Sequence, residues 1–205
     1  LLAFALGIGL NASVYSLGKT LLEKPLELDA LERLVVFVAT SRGEDRGVSG
    51  IAPAQALAYR EYGGGPFAEL SYGEHWSATL TRDGEPEITD GVRVSANWFR
   101  AVGSPFVLGR GFTDEEEQPG RHRVVVLGEG LWQRRFGGDQ RVVGSTVRVN
   151  GDDYRIVGVA AQTGRYPAFA NLFVPLPVEA GLAQKYDAFS YLMVGRLREG
   201  TTLAA

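Results

Sequence analysis

The sequence predicts an α+β fold, a mixed sheet with short helices, preceded by part of a membrane-type helix. Three observations predict it. Short β-rich runs recur along the whole chain and outnumber the helical stretches. Two pairs of runs are joined by hairpin signals, Asp83-Gly84 and Asn150-Gly151. Glycine is abundant, with 27 of 205 residues, roughly twice its usual share, which favours turns over long helices.

The chain opens on an apolar run, LLAFALGIGL over residues 1–10. A spanning helix needs about 20 mainly apolar residues. This stretch reaches that length, at Leu22, only by including Ser13, Ser16, Lys19 and Thr20. Gly7 and Gly9 would each cost a water-exposed helix about 1 kcal/mol relative to alanine, but small residues suit close packing in membranes. Residues 1–22 are therefore read as the C-terminal part of a first transmembrane helix, and residues 23–205 as the domain that follows. A soluble amphipathic helix is the competing reading. Lys19, Glu23, Lys24 and Pro25 mark where the helix would emerge and stop.

The elements follow in order. Residues 34–39 (LVVFVA) read as a short buried strand and 41–50 as a polar loop. Pro53 suits the first turn of a helix running to about Tyr62, ended by Gly63-Gly64-Gly65-Pro66. Residues 71–82 and 87–94 flank Asp83-Gly84 as a hairpin, and 96–102 form a short helix. Thr113 followed by Glu116 has capping-box spacing, so Asp114-Glu115-Glu116-Glu117 reads as a solvated, acid-rich first helical turn. Residues 124–127 are an apolar strand, and 129–136 a helix with Trp132 and Phe136 on one face. Strands 146–149 and 154–159 flank Asn150-Gly151. Residues 172–176 read as a strand that Pro175 confines to a sheet edge, and 189–197 as a last strand. Residues 199–202 then form a turn into a helix beginning at 203–205.

Composition narrows the function. The chain is 45% hydrophobic and 22% charged, an ordinary globular balance. Its net charge is -3, from 21 basic and 24 acidic residues, without the basic surplus that nucleic-acid binding by counterion release requires. It has no cysteine, which removes disulfides, thiolate metal sites and a cysteine nucleophile.

Gly7, Gly9 and Ala12 fit G-x-G-x-x-A, with Arg42 beyond a second apolar run in position for a 2′-phosphate. That leaves an NADP-binding oxidoreductase fragment as an alternative, weakened because no further βαβ unit follows. His75 and His122, the two histidines, have no metal-ligand spacing, and Glu74-His75-Trp76 reads as an edge-strand histidine. Gly18-Lys19-Thr20 lacks the leading glycine of a P-loop, since Ser13 stands there. No G-x-S-x-G occurs. The residues point to no catalytic set, metal or cofactor, so the chain is not expected to be an enzyme. A non-catalytic soluble binding module stays open as a third reading.

Several motifs in order carry a resemblance. Residues 6–16 (LGIGLNASVYS), then Leu21-Leu22 and Pro25-Leu26, resemble the first membrane helix of MacB-like/FtsX-like ABC transporter permeases, of the acidobacterial-type group. Residues 94–99 (VSANWF), 108–112 (LGRGF), 124–127 (VVVL) and 131–139 (LWQRRFGGD) are similar to that family's extracytoplasmic core domain. Val142-Val143-Gly144, Val149-Asn150-Gly151 and 154–159 (YRIVGV) continue the pattern.

The resemblance implies an extracytoplasmic domain on the periplasmic side of the bacterial inner membrane, without catalytic residues. It also implies a cytoplasmic ABC ATPase partner, a second permease copy in a homodimer and lipid contact through the N-terminal helix. The implied function is mechanotransmission, in which cytoplasmic ATP hydrolysis drives motion outside the membrane to expel substrate or activate an outer partner. Asn97, Phe99, Gly109, Arg110, Trp132, Arg135, Phe136, Gly137 and Gly158 are the motif positions expected to be structural. Asn97, Trp98 and Phe99 would anchor the short helix, and Gly109 and Gly111 would permit a tight turn. Arg110 would be a structural hydrogen-bond donor, and Trp132 and Phe136 core residues.

Overall fold

A computed structural model describes residues 31–37, 39–40, 48–62, 64–162, 166–177, 184 and 190–201. The expected membrane segment 1–22, the fingerprint residues Gly7, Gly9, Ala12 and Arg42, and the helix start at 203–205 lie outside the described residues.

Two hairpins organise the sheet. Strands β4 (Phe67–Arg82) and β5 (Glu85–Val94) pair antiparallel from Arg82↔Glu85 to Gly73↔Val94. Asp83 and Gly84 join them with φ of 52° and 83°, the left-handed pair that matches strand twist. Asn150 and Gly151, at φ 51° and 88°, join β8 (Thr146–Val149) to β9 (Asp152–Ala160) in the same way.

Longer connections assemble the rest. β10 (Leu172–Pro175) lies parallel to β5 and antiparallel to β7 (Val124–Gly128), and β7 runs parallel to β9. β8 returns to the far end of β4 through Leu80↔Val149 and Thr81↔Arg148. The hydrogen-bonded circuit β4-β5-β10-β7-β9-β8-β4 is therefore closed. β11 (Tyr191–Leu197) pairs with the first half of β4, and β1 (Leu34–Phe37) pairs with β11. β6 (Phe106–Gly109) adds to β9. The open edges of this nine-stranded sheet are thus two four-residue strands, β1 and β6. A separate pair, β2 (Ala39–Thr40) and β3 (Val48–Ser49), stands beside it.

Among the described residues three α-helices cover the sheet: α1 (Pro53–Tyr62), α2 (Trp98–Val102) and α3 (Glu129–Phe136). All five residues of β7 are buried, because both of its faces are covered. Val124 and Val126 pack with Trp98, Phe99 and Val102 of α2 and with Phe173. Val125 and Leu127 pack with Leu131, Trp132 and Phe136 of α3 and with Ile156. A third cluster sets Ala56 of α1 against Leu70, Tyr72, Tyr191 and Met193. Among the described residues no helix is long and apolar enough to cross a membrane.

Four expectations are corrected. β4 begins at Phe67 rather than residue 71, because β11 pairs with that first half. The run 34–39 is not a buried strand: β1 ends at Phe37, lies at the sheet edge and leaves Val36 44% exposed. The expected loop 41–50 contains β3. Pro175 does not put β10 at an edge. Pairing with β7 involves Leu172 and Phe173 alone, and the Leu176 N–H supplies the 2.8 Å bond to the Val94 carbonyl. The missing proline donor therefore falls past the two-sided part of the strand.

β6 and β9 approach unusually closely. A Cβ at Gly109, which has φ +67°, would stand 2.2 Å from the Val157 carbonyl oxygen, and one at Gly158 would stand 2.2 Å from that of Arg110. Neither oxygen belongs to a side chain that could swing away. Gly158→Ala should lower the unfolding free energy by about 2 kcal/mol or more, read by urea denaturation. At Gly64 an added methyl group would meet nothing within 4 Å, so alanine there should bring no such loss.

Candidate functional site

The turn from β5 into α2 is built around buried polar groups. Ser95 is fully buried, and its hydroxyl lies 2.7 Å from that of Ser71. It accepts the Tyr72 N–H at 3.2 Å and donates to Asn97 Oδ1 at 2.9 Å. Asn97 Nδ2 donates to Glu69 at 2.8 Å and to the Leu70 carbonyl at 2.9 Å. The motif around Asn97 thus fastens α2 to β4.

Glu117 joins the same hub from another direction. It ends a 3₁₀ turn, Asp114–Glu117. Its carboxylate accepts the Ala96 N–H at 2.9 Å, the Tyr72 hydroxyl at 3.1 Å and both terminal nitrogens of Arg60. One side chain thereby ties α1, β4 and the β5–α2 turn together. Burial pushes the Tyr72 phenol well up, and the neighbouring Glu117 charge adds to that. Burial alone would lower Arg60, but the Glu117 carboxylate outweighs it and raises the guanidinium.

The neighbouring carboxylate makes a second anchor. Arg110 donates two 2.8 Å bonds to Glu116, one to each oxygen, and the Thr113 N–H adds a third at 3.0 Å. Burial would raise the Glu116 carboxyl, but Arg110 and this N–H outweigh it and hold it below the ordinary 4.5. The acidic run is a 3₁₀ turn with the expected Thr113–Glu116 capping box and with Asp114 and Glu115 exposed, but its second half is not solvated. Glu116 and Glu117 are only 8% and 7% exposed. With about three residues per 3₁₀ turn, adjacent carboxylates point in different directions, and each meets its own arginine.

The nine motif positions fall into two groups on opposite faces of the sheet. Asn97, Phe99, Gly109, Arg110 and Gly158 surround α2 and the β6–β9 crossing. Trp132, Arg135, Phe136 and Gly137 belong to α3 and its end. Trp132 is buried and donates its indole N–H to the Asp139 carbonyl at 3.0 Å. The Arg82 guanidinium stacks 4.4 Å from the Phe136 ring centroid and donates to the Arg135 carbonyl. Arg135 reaches the β4–β5 hairpin through the Glu85 carbonyl at 2.8 Å. Gly137 closes α3 in the left-handed conformation, φ 60°. Gly109 makes the expected turn with positive φ, whereas Gly111 has no positive φ and instead packs against the Phe99 and Phe106 rings.

Sequence reasoning missed Arg60, Tyr72 and Arg33, and it named Ser95 and Glu117 only as members of a motif and of the acidic run. The acidic run was visible, but nothing local distinguishes its buried carboxylates. Arg33 clasps the far end of the chain, donating to the Leu197 carbonyl at 3.0 and 2.7 Å and lying 3.7 Å from Glu199. β1 is thereby held beside the end of β11.

Other candidates dissolve in the fold. His75 lies just past the part of β4 that pairs with β11, with only β5 beside it, as an edge position; its Nε2 is 3.2 Å from Asp90 Oδ1 on the exposed face. Among the described residues no three His, Cys, Asp or Glu side chains converge as metal ligands. Of the dinucleotide reading the described residues hold only β1, its expected second strand, which pairs antiparallel with β11.

The family model of the MacB-like periplasmic core domain matches residues 1–205. The chain belongs to this family. It is the extracytoplasmic domain of a MacB-like ABC transporter permease. Solved structures share the fold. The periplasmic region of MacB from Actinobacillus actinomycetemcomitans superposes with a TM-score of 0.59 at 16% identity, over 90% of this chain and 82% of that one. A domain of a putative permease from Porphyromonas gingivalis gives 0.60 at 16% identity, over 83% and 75%. The extracellular domain of the noncanonic ABC-type transporter YknZ from Gram-positive bacteria gives 0.54 at 12% identity, over 82% and 84%. No curated protein matches the sequence.

These anchors are testable as structure. Glu117→Gln strands Arg60 in a half-buried site and should cost about 3 kcal/mol. Trp132→Ala should cost about 3–5 kcal/mol. Both are read by urea denaturation at pH 7. Because the Glu116 carboxyl is depressed in the folded state, its contribution is present above about 4.5 and is lost as pH falls through the folded value. The stability gap between wild type and Glu116→Gln should therefore narrow between pH 7 and pH 3.

Proposed function

We propose that this domain transmits force for a membrane-embedded permease and performs no chemistry of its own. In this reading residues 1–22 are the end of the first membrane helix, in contact with lipid, and residues 23–205 are the periplasmic core domain of an inner-membrane protein. A cytoplasmic ABC ATPase, as subunit or domain, supplies the work. A second permease copy completes a homodimer, and the output is export of a substrate or activation of an outer partner.

The observation that carries the reading is the Arg33 clasp between β1 and β11. Segments preceding β1 and following β11 act on one edge of the sheet. β11 is paired along seven residues with β4, and β4 runs sixteen residues to the hairpin at Asp83. Displacement at the clasped edge is thus delivered along one continuous strand to the opposite end of the domain. A hydrogen-bonded ladder shears far less readily than a loop bends, so the domain moves as a lever.

The test places spin labels at Asp83 in the reconstituted permease with its ATPase. ATP binding should shift the Asp83–Asp83 distance distribution between the two copies. Arg33→Ala should leave ATPase activity in place and reduce that shift by half or more. A distribution that is identical with and without ATP would sink the proposal.

A further inference from the structure

We propose that an aromatic cup between α2 and β6 binds a small amphipathic carboxylate, with its apolar body in the cup and its anionic head on Arg100 at the rim. The cup encloses about 320 Å³, at the lower end of the range of small-molecule sites, about 300–1,000 Å³. Its walls are Phe99, Phe106 and Phe112, with Ala96 and the Gly111 backbone between them. The Phe99 ring lies 5.0 Å from Phe106 and 5.6 Å from Phe112, centroid to centroid. Rings so placed offer faces and edges to a further apolar group.

The rim decides the charge of the ligand. Arg100 and Arg110 both line it. Arg110 is committed to Glu116. Arg100 spends only its Nε, on Glu69 at 3.2 Å, and its two terminal nitrogens make no hydrogen bond among the described residues. Its side chain is 58% exposed. Arg155 approaches Glu116 to 3.8 Å, so three guanidiniums stand around two carboxylates. A carboxylate is the complement of a planar guanidinium with two terminal donors, and the aromatic cup beside it adds contact only for a ligand with an apolar body.

The two motifs that flank the cup, 94–99 and 108–112, have structural duties that leave the cup unexplained. Hub and helix packing account for Asn97 and Trp98, and the β6–β9 crossing accounts for Gly109. Neither accounts for a partly open aromatic cavity with a half-used arginine at its mouth. The inference is independent of force transmission: a site here holds whether or not the domain moves with ATP.

The test uses the intact protein in lipid nanodiscs, with empty nanodiscs subtracted, and two probes: 3-phenylpropionate and its uncharged amide. Saturation-transfer NMR titrations give both affinities. The acid should bind about fivefold more tightly than the amide, as an exposed ion pair of moderate strength allows. Arg100→Gln, at an exposed side chain, should abolish that preference and leave amide binding intact. Phe106→Ala should weaken both probes by about tenfold, the loss of one aromatic wall. The proposal is overturned by the absence of protein-dependent saturation, by equal affinity for acid and amide, or by an acid preference that survives Arg100→Gln. Should Phe106→Ala fail to fold, the Arg100→Gln comparison alone decides.

Discussion

The closure of β8 onto β4 is the constraint on which the rest of the domain depends. It is made by few residues. Asn150, at the tip of the second hairpin, accepts the Thr79 N–H on its side chain at 2.7 Å and donates its own N–H to the Thr79 carbonyl at 2.9 Å. This joint turns two hairpins and two inserted strands into a closed circuit. With it closed, the sheet has one interior for α3 and its cluster, and an outer face left to α2. It also confines the open edges to β1 and β6, both too short to template further pairing easily.

Against that frame the ionic interactions act as connectors between elements rather than as surface decoration. All three lysines, Lys19, Lys24 and Lys185, lie outside the described residues, so the Lys and Arg side chains among the described residues are all arginines. A planar fork bonds two oxygens or carbonyls at fixed angles. Arg60, Arg110, Arg135 and Arg33 each use it to join segments distant in sequence or to fix a tight turn. The connector at Arg33 fastens β1 to β11 at one edge of the sheet, while the β4–β5 hairpin stands at the far end of the sixteen-residue β4.

The same economy shows in the packing of the family motifs. Gly109 and Gly158 sit where two backbones come too close for any side chain. Asn97 replaces a backbone partner at the start of α2, and Trp132 fills the space under α3 while its indole N–H satisfies the Asp139 carbonyl. Residues of this kind keep a scaffold rigid. A site for a ligand, where there is one, must come from what they leave open, as the cup beside α2 does.

The sequence by itself determined the elements whose causes are local. Asp83-Gly84 and Asn150-Gly151 specify hairpins because both residues of each turn reach positive φ at little cost. The apolar run at 124–127 announces a strand, and Trp132 and Phe136, four residues apart, announce the apolar face of α3. Only the tertiary structure decided what depends on distant partners. Pro175 is tolerated inside the sheet because β7 stops pairing before it. Glu116 and Glu117 are buried because Arg110 and Arg60 reach them, one from six residues away and the other from fifty-seven. β1 is an edge strand because β11 arrives from the other end of the chain to pair with it. A turn preference is a property of two residues. Burial of a charge or the closing of a sheet is a property of segments that meet only once the chain has folded.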